Sequence, residues 1–131
     1  MIFIACYENT PAGIAAVKTA QQHAKVWEAS IEVVSTLTRD IPIKHARLKE
    51  KEEQLELEVR KLYLELPYPI NVSLLTDDIE AGEQIVNFAE RKKADLIFLG
   101  IKKKSRVGKI LFGSNAQYII LNAPCPVVIV R

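Results

Sequence analysis

Five short apolar runs, rich in β-branched and aromatic residues, alternate along the chain with four stretches whose apolar residues recur every three or four positions. The short runs read as buried strands and the spaced stretches as amphipathic helices. Strands that alternate with helices argue for a parallel sheet, because parallel neighbours need a crossover that a helix supplies. Runs that are apolar throughout argue that both faces of that sheet are covered. The expectation is an α/β chain: a single open parallel five-stranded sheet with helices on both faces. Residues 1–131 read as one domain, with no linker and no internal repeat. A chain of this length buries roughly two thirds of its unfolded surface, so it can build a core without disulfide or metal.

Local signals place the elements. Met1 to Tyr7 is the first strand. Thr10-Pro11 opens a helix, with Thr10 as cap and Pro11 at the first helical position. Its apolar stripe is Ile14, Val17, Ala20, Ala24 and Trp27, which puts Trp27 in the core. Ser30 to Thr36 is the second strand. A long helix runs from about Ile43 to Leu66, striped by Leu48, Leu55, Val59, Leu62 and Leu66, and is ended by Pro67 and Pro69. Its apolar spacing lasts about three heptads, so packing on a sheet is favoured over a coiled coil. Pro69 to Thr76 is the third strand. Asp77 or Asp78 then caps a helix whose inner face is Ala81, Ile85, Phe88 and Ala89. Asp95 to Gly100 is the fourth strand, Gly113-Ser114 opens a short helix through Leu121, and Pro126 to Arg131 is the fifth strand.

Composition removes several classes. The chain is 49% hydrophobic with a net charge of only +2, which excludes disorder. No apolar run approaches the ~18 residues of a membrane span. The apolar start has no basic segment before it and is too short for a signal peptide, so the expected location is cytoplasmic. Cys6 and Cys125 fit a reducing compartment, and with His23 and His45 far apart they form no zinc pattern. Cys6 reads as a small buried hydrophobe with no base to activate it.

The basic charge is concentrated. Lys102, Lys103, Lys104, Arg106 and Lys109 stand together without an acid, so the rest of the chain is at −3. In open α/β sheets, ligands bind beyond the carboxyl ends of the strands, where strand order reverses. Two segments leave such ends: Tyr7-Glu8-Asn9-Thr10 and Gly100 to Ser114. In the second, Gly113-Ser114 stands directly before a helix, where free N–H groups, the helix dipole and a hydroxyl make an anion site. Cations in the same loop would hold phosphates. The alternative is a solvated lysine loop before an ordinary helix start. There is no GxxxxGK[ST] and no GxGxxG. The absence of aromatics interleaved with the cations, and the near-neutral charge, argue against nucleic acid. No general base and no carboxylate pair for a metal stand out, so a committed enzyme is not expected.

Gly100-x12-Gly113-Ser114, followed by Asn115-Ala-Gln and then Asn122-Ala-Pro-Cys-Pro-Val-Val-Ile-Val130, resembles the universal stress protein family. The first strand leading to Asn9-Thr10-Pro11 and an Ala-rich helix is similar to the family's opening, so the resemblance covers essentially the whole chain. It implies the strand order 3-2-1-4-5 of the adenine-nucleotide alpha-hydrolase-like fold. It also implies a dimer paired through the last strand, and binding of ATP or a related adenine nucleotide with Mg²⁺, with slow hydrolysis at most. Carried over, Gly100 matches the first glycine of the family's phosphate motif, Gly113 the third and Ser114 the hydroxyl residue. Lys102, Lys103 and Asn115 would flank the phosphates, while Tyr7, Glu8 and Asn9 would lie near the nucleoside. Two positions depart from the pattern. Lys103 replaces the second glycine, and Tyr7 or Glu8 stands where nucleotide-binding members usually carry Asp. These departures keep open a second reading, a protein-interaction module of the same fold.

Overall fold

The structure, a computed structural model, describes residues 1–37, 44–62, 69–102 and 112–131. Its elements alternate as β1 (Ile2–Cys6), α1 (Pro11–Trp27), β2 (Ser30–Thr36), α2 (His45–Leu62), β3 (Ile70–Leu75), α3 (Ala81–Lys92), β4 (Leu96–Gly100), α4 (Ser114–Asn122) and β5 (Val127–Val130). The strands form one parallel sheet in the order β3-β2-β1-β4-β5. Ile4 at the centre of β1 lies opposite Glu32 of β2 and Ile97 of β4.

Period-two alternation divides the strand side chains between two cores. Phe3, Ala5, Tyr7, Ile31, Val33 and Phe98 face α1 and α2, where they meet Val17, Ala20, Ala24, Leu55 and Val59. Ile4, Cys6, Val34, Ile97 and Leu99 face α3 and α4, where they meet Ile85, Val86, Phe88, Ala89 and Ile119. The Phe3 and Phe98 rings lie 5.5 Å apart at 52°, a tilted pair at the middle of the first core. The expected helices on both faces are therefore present.

Thr10 caps α1 as its sequence foretold. Its Oγ1 accepts from the Gly13 amide at 3.1 Å, and Pro11 takes the first turn, where no N–H is needed. Two local expectations are corrected. Trp27 is 59% exposed, not core. It occupies the last turn of α1, which ends at Glu28 in the left-handed region, φ 54°. Neither Asp77 nor Asp78 caps α3: the cap position is Glu80, whose side chain makes no capping bond. The expected long-helix ends at Ile43 and Leu66 lie outside the described residues.

Candidate functional site

β1 and β4 are sheet neighbours, but α1 leaves β1 toward one face and α4 follows β4 on the other. This is the point where strand order reverses, and the diverging connections open a crevice at the carboxyl edge of the sheet. A cleft of about 170 Å³ occupies it. Its floor is Cys6 with Val34 and Leu99. Its walls come from Thr10, Ala12 and Gly13 of the α1 start, Ala81 and Ile85 of α3, and Asn115, Ala116 and Ile119 of α4. Glu8 and Lys102 supply its charged groups.

The backbone here is tightly packed. A Cβ on Gly100 would collide with the Ala12 carbonyl, and one on Gly13 would collide with the Glu8 backbone. Both glycines are therefore required by the approach of the α1 start to the ends of β1 and β4. Gly113 differs: its φ is −65°, and among the described residues no heavy atom lies within 4 Å of where a Cβ would stand. Nothing in the described protein demands glycine there.

The sequence-expected residues separate into groups. Gly100, Lys102, Glu8 and Asn115 line the cleft, and Tyr7 does so at the end of β1. The Tyr7 ring, however, belongs to the opposite core, and its hydroxyl donates to Glu58 Oε2 of α2 at 3.0 Å. Asn9 lines a separate depression on the α2 side, with Lys51, Gln54 and Glu58. Gly113 and Ser114 stand exposed at the start of α4, beside but not among the lining residues. The first hydrogen bond of α4 runs from the Gln117 amide to the Gly113 carbonyl at 3.0 Å. The amides of Ser114, Asn115 and Ala116 thus precede the helical ladder and, among the described residues, have no backbone partner, as an anion site needs. Lys103, with Lys104, Arg106 and Lys109, lies outside the described residues.

Sequence reading did not assign to the site most of the apolar lining, nor Gly13 of α1, Ser35 and Thr36 at the end of β2, or Ala81 at the start of α3. Ser35-Thr36 carried a usable signal, since these polar residues follow an apolar strand at its carboxyl end. Ala81 carried none.

Proton chemistry is muted. Burial, reinforced by the charge of Glu8, pushes the Cys6 thiol up to about 12. Burial, then the hydrogen bond to Glu58 and its charge, push the Tyr7 phenol up to about 12. Neither group supplies a nucleophile near neutral pH. Among the described residues, the cleft has one carboxylate, Glu8, and one ammonium, Lys102.

A sequence model of the universal stress protein family matches residues 2–131. The chain is 38% identical over 104 residues to a universal stress protein of Methanocaldococcus jannaschii; the match takes in 79% of this chain and 54% of that relative, about half its length. The fold superposes on a universal stress protein of Archaeoglobus fulgidus with TM-score 0.78 and 28% identity, over 99% of this chain and 97% of the other. Two further structures share the fold. One is the Archaeoglobus fulgidus universal stress protein in complex with dAMP, with TM-score 0.71 and 23% identity, covering 99% and 96% of the two chains. The other is a universal stress protein in complex with cAMP, with TM-score 0.78 and 17% identity, covering 100% and 97%. The chain belongs to the universal stress protein family, and its sheet has the strand order which that resemblance implied.

Proposed function

We propose that this protein binds an adenine nucleotide in the β1/β4 cleft and acts as a dimeric cytoplasmic regulator in a stress response. The observation that carries the reading is the start of α4, where three amides stand outside the helical ladder next to the cleft and no described residue crowds Gly113. A glycine that none of the described residues requires fits close approach by a ligand. The same corner presents partial positive charge from the helix dipole, with Lys102 at the cleft. Neighbours of this fold solved with dAMP and cAMP support the ligand class.

The nucleoside would enter over Cys6 and Val34, with Glu8 in place of the missing Asp as acceptor for the ribose hydroxyls. Phosphates would run toward Gly113 and Ser114. ATP fits this direction, since a longer phosphate chain reaches more of the α4 terminus. With Glu8 the one carboxylate among the described lining residues, Mg²⁺ would be held chiefly by phosphate oxygens and water.

The edge strand β5 supports the dimer. Among the described residues it pairs with β4 on one side only, and Ile129 is 37% exposed. An apolar edge of this kind invites pairing, and antiparallel pairing with a second copy would cover it.

Calorimetric titration with AMP, cAMP and ATP·Mg²⁺ tests the reading. Saturable binding is expected for the natural chain and is lost in a Gly113→Ala, Ser114→Ala double variant. A folded protein that takes none of the three would overturn it and leave the interaction module as the better account.

A further inference from the structure

α3 begins without a cap of its own, because the Glu80 side chain makes no capping bond. The Gly82 amide in its first turn instead donates to Asn115 Oδ1 of α4 at 2.9 Å, across 33 residues of chain. The donor is a backbone N–H, so the acceptor is the side-chain amide oxygen of Asn115. The same two residues also touch through their backbones. A Cβ on Gly82 would lie 2.8 Å from the Asn115 carbonyl oxygen and 3.2 Å from the Tyr118 Cβ. Glycine at 82 thus lets α4 sit directly on the α3 start.

The α3 start is itself held. Gln84 is 1% exposed; its Oε1 accepts from the Asp77 amide and its Nε2 donates to the Ile79 carbonyl, both at 3.0 Å. The loop after β3 is therefore fixed to α3, and α3 is fixed to the first turn of α4. That turn begins at Ser114, one residue after Gly113.

We propose that Asn115 and Gly82 form a latch that positions the Gly113–Ser114 corner for phosphate, with Asn115 a positioning residue acting through α3. The proposal rests on the nucleotide reading above. In it, the Asn115 amide oxygen is engaged by Gly82 rather than by the ligand, a role different from the flanking phosphate contact that its place in the motif suggests. The latch makes the phosphate corner rigid before a ligand arrives, which lowers the ordering cost of binding.

Three variants test it by two readouts. In the free protein, hydrogen exchange at the buried Gly82 amide is expected to accelerate about tenfold in Asn115→Ala, which removes its acceptor. In Asn115→Asp the exchange stays slow, because a carboxylate oxygen keeps the bond and suits a helix start. The second readout is the ratio of ATP to adenosine affinity, measured well below the unfolding temperature. Asn115→Ala and Gly82→Ala should each weaken ATP about five- to tenfold and leave adenosine unchanged. Gly82 does not line the cleft, so an effect there cannot be a lost ligand contact.

Loss of ATP affinity in Asn115→Ala with none in Gly82→Ala would overturn the latch in favour of direct contact. Equal losses for ATP and adenosine would reduce it to general destabilisation. If the natural chain binds neither ligand, the positioning role falls together with the nucleotide reading. The exchange readout then still reports whether the α3–α4 bond exists.

Discussion

The Tyr7 hydroxyl donates to Glu58 at 3.0 Å, so the last side chain before the cleft is anchored to α2 on the far side of the sheet. Tyr7 is buried, and Gln54 Nε2 donates to the other oxygen of Glu58 at 3.2 Å. Tyr7 thus serves the fold through its ring and hydroxyl, and leaves Glu8 as the cleft's acidic group among the described residues. Tyr7→Phe should cost about 1 kcal/mol, the net worth of one such bond, read by urea denaturation. Its nucleotide affinity should stay within about twofold of the natural chain's, whereas Glu8→Ala should weaken it by several-fold.

Stability should fall on the alkaline side. Cys6 and Tyr7 hold their protons to about 12 in the folded protein, against ordinary values of 9.0 and 10.0. Above pH 9 the unfolded chain loses these protons first, so it binds fewer than the folded chain and stability declines as pH rises. The contribution is fully present below pH 9 and fades toward pH 12. Denaturation midpoints between pH 8 and 11 check this, and Cys6→Ala should flatten the slope. A slope unchanged by both Cys6→Ala and Tyr7→Phe would contradict the assignment.

The glycines should divide sharply. Gly100→Ala places a methyl against the Ala12 carbonyl and should cost about 1–3 kcal/mol in stability. Gly113→Ala meets open space at an ordinary φ and should stay within about 0.5 kcal/mol. Thermal melts of the two separate a glycine required by packing from one left free for a ligand.

Gln84→Leu should be among the more damaging single changes outside the apolar core. It leaves the Asp77 amide and the Ile79 carbonyl without their partner, at about 1–3 kcal/mol. Urea denaturation reads the loss.

For the dimer, sedimentation should give twice the chain mass for the natural protein and a monomer for Ile129→Lys. A charge at the edge of β5 opposes pairing without touching the core. A natural chain that remains monomeric at high concentration would remove the dimer from the account.

What could be read from the chain was mostly local. Thr10-Pro11 announces its own helix, because cap and first turn are neighbours in sequence. The strands were visible as apolar runs. Their order came with the family resemblance, since periodicity does not say which strands pair. Trp27 was misplaced because helical spacing continues past the end of the sheet it packs on. The start of α3 was misread for a different reason. Its amide is served by Asn115, 33 residues away, and no local pattern records a bond made by folding. The same holds for Tyr7, whose partner Glu58 is 51 residues distant.

The central claim is that an adenine nucleotide sits between the ends of β1 and β4 and the start of α4. Hydrogen exchange of the natural chain, with and without saturating ATP·Mg²⁺, tests it most directly. The account predicts slowed exchange at residues 7–13, at Gly100–Lys102 and at Ser114–Ala116, with α2 and β3 unchanged. No protection anywhere, or protection confined to the depression lined by Asn9, Lys51, Gln54 and Glu58, would contradict it.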